Sequence, residues 1–337
     1  HTPPAPLTSR MARHKLIDVV PCHVDSGQRA NVSKKWLAFA SLVVVQVSGT
    51  VFYKSSSHAS KYNYSTFAAM TIAEFCKLTI SACLHLATRN SAVRPDKSVM
   101  SCANSKVTLS SAVRILALAA MYFVNNQITF LVLLRVDPAT FDLLRSSSSL
   151  ITALVWCLLL NKYVGSLRWA ALLQQICGLV VTQFDACSNT TTTPSNTLVI
   201  IMGTVVVSSL TAVWNEQQLK CLPVPMHMQN IVLYSGGAVL NFAGHLYMAW
   251  TRPGTPGFFA GHNPASIGVI LFNIAIGFAC VAVYKYADSV MKALAASMTT
   301  VLTIVLSWAF YGLTLNPVTA SGCVIVVVSV LIYTLTQ

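Results

Sequence analysis

The apolar residues of this chain are gathered into runs of about twenty, the length at which an α-helix crosses the hydrocarbon core of a bilayer. Runs of that length leave few folds open, because every backbone N–H and C=O in hydrocarbon needs an internal partner. Nothing alternates at strand period, so a closed barrel is set aside and an all-α membrane bundle is expected. The charge content fits: 9% of 337 residues are charged, against about 25% in a typical soluble domain. A formal net charge of +13 would suit nucleic acid if it clustered on a polar surface, but the basic residues lie between the apolar runs. Nucleic acid is therefore excluded as a partner, and membrane lipid is the surrounding medium.

About ten spans are expected, at Trp36–Tyr53, Ser65–Thr88, Ser111–Leu134, Pro138–Leu160, Ser166–Phe184, Thr197–Leu219, Gln229–Trp250, Ser266–Lys285, Ser289–Tyr311 and Pro317–Leu335. Residues 1–35 read as a disordered basic tail and residues 36–337 as one transmembrane domain. With the N-terminus in the cytosol, sixteen lysines and arginines fall on the cytosolic side and four on the other, so both termini are expected to be cytosolic. The sequon Asn189-Thr190-Thr191 then lies in a lumenal loop, although Asn31-Val32-Ser33 fits the same pattern on the cytosolic side. The ten cysteines show no paired spacing and read as small core residues, not as a disulfide framework. No histidine pair has metal-ligand spacing, no set of nucleophile and base stands out, and no cofactor is implied.

An internal repeat is visible when residues 137–146 are laid over residues 288–297. Asp137 falls on Asp288, Leu143 on Leu294 and Ser146 on Ser297, with Arg135 and Lys285 just ahead of each stretch. Five spans per half would give the halves opposite orientation, the five-plus-five inverted-repeat plan of many secondary transporters.

Polar side chains inside the runs are the candidate functional residues, since a charge at a helix centre costs roughly 2.5–3.5 kcal/mol on insertion scales and needs a partner or a wet cavity. Glu74 and Lys77, three apart, share a helix face as a structural ion pair or a solute contact. Tyr122, Asn125 and Asn126 cluster in the third span; ring and amide on one face suit a base or sugar, or bonding between helices. Arg145, with Ser148 and Ser149 beyond it, offers a planar fork for phosphate or carboxylate unless Asp142 neutralises it. Asn230 and Tyr234 share a face at the start of the seventh span. Glu216 and Lys220 read as a structural pair at the membrane edge. Lys285, near Asp288, either extends to the headgroups or faces a phosphate.

Six motifs in order resemble signatures of the nucleotide-sugar transporter family, within the drug/metabolite transporter superfamily. They are the E-x-x-K-L of Glu74 to Leu78, the Tyr122-x-x-Asn-Asn126 element, Asp137-Pro-Ala-Thr140, the Asn-Glu-x-x-Leu-Lys of Asn215 to Lys220, Gln229-Asn-Ile-x-Leu-Tyr234, and Lys285-Tyr-Ala-Asp-x-x-Met-Lys292. The resemblance, closest to the CMP-sialic acid and UDP-galactose carriers, covers Trp36 to the C-terminus. It implies a Golgi or endoplasmic reticulum antiporter that exchanges a cytosolic CMP- or UDP-linked nucleotide sugar for lumenal nucleoside monophosphate by alternating access. Residues Tyr122, Asn125, Asn126, Arg145, Ser148, Asn230, Tyr234 and Lys285 are then substrate-binding, while Glu74, Lys77, Glu216 and Asp288 are structural or gating. Family members resembling this chain carry a lysine where Ser148 stands, and Arg145, one turn earlier, is a candidate replacement. The missing lysine also leaves two other expectations: a carrier of another phosphorylated metabolite, or a transport-inactive membrane scaffold. A second copy of the chain is a further candidate partner.

Overall fold

The computed structural model describes residues 32–56, 63–91, 107–133, 145, 147–160, 163–182, 195–311 and 315–336. The apolar runs fold as ten helices among these residues: α1 (Val32–Ser56), α2 (Thr66–Ser91), α3 (Leu109–Leu133), α4 (Ser148–Leu160), α5 (Ser166–Thr182), α6 (Ser195–Cys221), α7 (Met226–Thr251), α8 (Pro264–Tyr286), α9 (Ser289–Tyr311) and α10 (Pro317–Leu335). Six of them, α2, α3, α6, α8, α9 and α10, are long and apolar enough to cross a membrane. Large apolar side chains such as Leu158, Trp250 and Leu335 stand exposed on the outside of the bundle, as lipid-facing side chains do. The chain is a multi-pass, all-helical membrane protein.

Local chemistry sets the helix starts. Asn263 and Ser266 form a reciprocal capping box ahead of α8, with Pro264 in its first turn. Asp288 Oδ1 accepts from Met291 N at 2.7 Å and caps α9. Asn316 Oδ1 accepts from Val318 N at 3.3 Å and caps α10.

Three helix pairs pack most extensively: α5 with α10, α2 with α7, and α1 with α8. Each has glycine at its crossing, which lets backbones approach where lipid supplies no hydrophobic drive between helices. A Cβ at Gly322 would lie 2.7 Å from Thr182 N and 2.8 Å from Gly178 O, so α5 and α10 touch backbone to backbone. Gly244 receives the Phe67 ring on the α2–α7 seam, and Gly49 receives the Phe272 ring on the α1–α8 seam.

The pairs that join one of α1–α5 to one of α6–α10 follow a pattern. α1 with α8 is matched by α3 with α6, α3 with α7 by α2 with α8, and α4 with α6 by α1 with α9; α2–α7, α4–α9 and α5–α10 are each their own match. Adding five to one helix number and subtracting five from the other turns each pair into its match.

The structure differs from the sequence expectations at several points. α1 begins at Val32, so Lys34 and Lys35 ride on its first turn instead of closing the tail. Cys221 is disulfide-bonded, against the reading of all cysteines as core residues, whereas Cys76, Cys83, Cys157, Cys177, Cys280 and Cys323 are free thiols. Asp137 to Thr140, Asp142, the first copy of the repeated stretch apart from Arg145 and the Asn189 sequon lie outside the described residues, as does the tail up to Asn31.

Candidate functional site

Midway along α2, Glu74 and Lys77 are both buried and joined at 2.6 Å. Two glycines from other helices make room for them. A Cβ at Gly237 of α7 would lie 3.1 Å from the Glu74 carboxyl, and one at Gly277 of α8 would lie 2.8 Å from Lys77 Cδ. Lys77 Nζ also sits 4.8 Å above the centre of the Tyr234 ring, a cation–π contact, and Tyr234 Oη lies beside Gly277. The ion pair is thus the seam of α2, α7 and α8.

Around that seam the aromatic residues converge. Tyr122 of α3 accepts a hydrogen bond from Asn215 Nδ2 of α6 at 2.8 Å. Tyr234 has Tyr122, Glu74 and Cys280 as electrostatic neighbours. The fully buried Tyr284 of α8 has Tyr122, Cys280 and Glu216. Asn230 is buried one turn before Tyr234. Asn125 is half-buried, and its carbonyl accepts from Thr129 Oγ1 at 2.8 Å. Asn126, one turn beyond Tyr122, lines a small cleft with Met70, Thr129, Phe130 and Asn273. Tyr122, Tyr234 and the Glu74–Lys77 pair, read from separate stretches of sequence, therefore meet at one buried centre.

The end of the bundle where α1 begins, here the near end, is tied by a second ion pair. Glu216, with no exposed surface, takes Lys220 Nζ at 2.8 Å, Ser289 N at 2.8 Å and Trp156 Nε1 at 3.2 and 3.3 Å on its two oxygens. Lys220 Nζ also donates to Ala287 O at 2.7 Å. One carboxylate therefore joins α4, α6 and the α8–α9 link. Burial, then the neighbouring Glu216, pushes the Asp288 carboxyl in that link upward, while the Met291 amide, Lys220 and Lys35 oppose the shift.

Lys285 stands apart from the central cluster. It is exposed at the near end of α8, with Nζ 5.5 Å from the Tyr286 ring centre, and His227 of α7 feels both it and His85 of α2. Arg145 is half-buried ahead of α4. Ser148 is only 8% exposed, and its carbonyl accepts from Ser209 Oγ at 3.4 Å, in the α4–α6 interface.

At the far end the ties are neutral. Ser65 Oγ and His245 Nδ1 are 2.9 Å apart, and Gln127 Nε2 donates to Asn241 Oδ1 at 2.9 Å. The Tyr64 and His262 rings stack at 5.4 Å. Sequence reasoning missed His245, Asn241, Asn273, Trp156 and the two seating glycines. Trp156 carried the clearest signal, since an indole N–H in an apolar run needs an acceptor.

The nucleotide-sugar transporter family model matches residues 30–334. CMP-sialic acid transporter 2 of Arabidopsis thaliana is 26% identical over 303 residues, covering 87% of this chain and 74% of that protein. CMP-sialic acid transporter 4 of the same plant is 25% identical over 320 residues, covering 92% and 87%. The UDP-galactose translocator of Mus musculus is 29% identical over 220 residues, covering 64% and 56%. A protein of known crystal structure shares the fold, with a TM-score of 0.65 at 15% identity over 90% of this chain and 97% of that one. The names of these relatives are those of transporters and translocators, not enzymes. The chain therefore belongs to the nucleotide-sugar transporter family and is a membrane transporter, not an enzyme.

Proposed function

We propose that this chain exchanges a CMP- or UDP-linked nucleotide sugar for the corresponding nucleoside monophosphate across the Golgi membrane by alternating access. The observation that carries the reading is the buried centre. Two tyrosines, several amides and an internally neutralised ion pair meet midway along helices of a membrane bundle, as recognition of a planar, hydrogen-bonding solute requires. The names of the relatives point to the same solutes. The matched helix pairs support a five-plus-five inverted repeat, in which the ten helices divide into the odd number per half that inversion needs. The near end faces the cytosol by the lysine and arginine distribution.

In this reading Tyr122 and Tyr234 hold the base and ribose, with Asn125, Asn126 and Asn230 supplying hydrogen bonds. Lys285 draws the phosphate in from the cytosolic mouth, assisted by Arg145. Glu216 and Asp288 hold the cytosolic ends of α4, α6 and α9 together as a gate. Exchange follows because a loaded carrier reorients with its cations paired, while an empty one carries them through low dielectric.

Uptake of labelled nucleotide sugars into proteoliposomes preloaded with CMP, UMP or GMP tests the reading. Trans-stimulation by one monophosphate identifies the base, and stimulation only by other phosphorylated metabolites redirects the substrate class. No exchange with any solute supports the scaffold reading, which Ser148, packed against Ser209 where a lysine is expected, favours. If Arg145→Ala leaves exchange intact while Lys285→Ala abolishes it, the assisting role of Arg145 is wrong.

A further inference from the structure

We infer that Asn273 of α8, together with Asn126 of α3, reads the hydrogen-bonding edge of the solute's base and so sets which pyrimidine is carried. The inference rests on the exchange reading above and adds a residue and a discrimination to it. The cleft between the two amides is bounded by Met70 of α2, by Asn126, Thr129 and Phe130 of α3, and by Asn273. Each helix places its lining residue one turn toward the far end from the buried centre. Met70 precedes Glu74 by four residues, Asn126 follows Tyr122 by four, and Asn273 precedes Gly277 by four. Gly277 is the position against which Lys77 Cδ and Tyr234 Oη rest. The cleft therefore continues the tyrosine level along the bundle axis.

Its size and chemistry narrow what enters. The cleft is small, with about 30 Å³ of water-accessible space, about two to three times what one water needs, and it suits the exocyclic oxygen or nitrogen of a base held at the tyrosine level better than a whole sugar ring. The lining carries no charge, so a phosphate has no counter-ion there. The cation that faces a phosphate, Lys285, lies twelve residues along α8 from Asn273, about 18 Å at 1.5 Å per residue. A solute with phosphate toward Lys285 and base between the tyrosines points its edge at the two amides. Asn273 Nδ2 donates to Val269 O at 2.8 Å, which fixes the carboxamide within the helix groove. An amide offers a donor and an acceptor, and cytosine and uracil differ in those groups along the edge.

The test is competition by CMP and UMP against uptake of the preferred labelled nucleotide sugar, in proteoliposomes carrying full-length wild type, Asn273→Ala, Asn273→Asp or Asn273→Gln. Asn273→Ala is expected to weaken the preferred monophosphate and its nucleotide sugar alike, by about three- to tenfold, the worth of one neutral hydrogen bond. It is also expected to compress the CMP to UMP preference. Asn273→Asp, an acceptor only, is expected to shift that preference toward CMP, whose edge bears the N4 amino donor, and Asn273→Gln to restore part of it. A merely structural asparagine would alter maximal uptake without moving the ratio, and an unmoved ratio in both Ala and Asp variants overturns the assignment. Weakening of the nucleotide sugar alone, with CMP and UMP unaffected, overturns it too, by placing the sugar at the cleft. No exchange by the wild type with any nucleotide sugar sinks the transport reading itself, and this assignment with it.

Discussion

The Glu74–Lys77 pair allows a quantitative test of how the centre is held. Both residues are at least 90% buried and their charged atoms are 2.6 Å apart, so removing one strands the other. Stranding a buried charge costs roughly 3–5 kcal/mol, whereas replacing both partners by neutral groups of similar volume is often nearly neutral. The structure adds an asymmetry. In Glu74→Gln, Lys77 keeps the Tyr234 ring at 4.8 Å, a contact worth about 0.5–2 kcal/mol. In Lys77→Met, Glu74 stays against Gly237 with its ion-pair partner gone. Lys77→Met should therefore be the more damaging substitution, and Glu74→Gln/Lys77→Met should recover most of the loss. At about 2 °C per kcal/mol for a chain of this size, Lys77→Met is expected to melt about 6–10 °C below wild type. Thermal unfolding in detergent, followed by exposure of the buried Cys323 thiol, reads this out. A double variant that loses the sum of the single losses, or a Glu74→Gln variant less stable than Lys77→Met, refutes the reasoning. Exchange by the double variant then separates the two roles of the pair: retained exchange makes it a lock, and lost exchange in a folded protein makes it a solute contact.

Glu216→Gln is expected to cost about 1.5–3 kcal/mol, because Lys220 is exposed and stays solvated while the charge-assisted bonds from Ser289 N and Trp156 weaken, and Trp156→Phe is expected to cost less, since Lys220 and Ser289 N still hold the carboxylate; the same melts test the order. Gly322→Ala would drive a methyl into the backbone of α5 and should abolish recovery of folded protein on size exclusion. Gly203→Ala, with nothing within 4 Å, should be neutral or stabilise by about 0.4–1 kcal/mol, and equal outcomes for the two would contradict the crossing geometry. Cys221 tests the orientation, because cytosolic thiols are kept reduced. Cys221 is disulfide-bonded in the structure, so reaction with maleimide in permeabilised cells without prior reduction would show that disulfide open in the cell and keep the near end cytosolic, whereas a requirement for reductant would turn that end to the lumen.

Run length and turn residues made the helices legible, because in hydrocarbon the backbone has few alternatives and Pro317 marks a start, whereas the Asn263 cap that begins α8 at Pro264 went unread. Residues three or four apart on one face, such as Glu74 with Lys77 and Glu216 with Lys220, were equally readable, since their contacts lie within one helix. What stayed hidden depends on which face meets which helix. Four consecutive serines give no sign that Ser148 turns to Ser209. Gly237 and Gly277 are informative only once Glu74 and Lys77 lie against them. The Ser65–His245 and Gln127–Asn241 bonds join residues more than a hundred positions apart, and no local pattern encodes such a pairing.

The distribution of charge along the axis explains why such a centre suits transport better than retention. Lys77 is already neutralised by Glu74, and Tyr122 is already bonded to Asn215, so the deep site presents aromatic faces and amides but little net charge. A free cation there would hold a phosphate strongly, because the Coulomb term between unit charges grows several-fold as the effective dielectric falls from that of water. The cations are instead gathered toward the near end: His227 lies near both Lys285 and His85, and Lys292 stands 5.4 Å from the Tyr284 ring centre. Positive charge at the entrance raises the local concentration of an anionic solute without anchoring it. On the exchange proposed above, selectivity is left to the shape and hydrogen bonding of the neutral interior, where binding has to be strong enough to choose a solute and weak enough to release it on the other side.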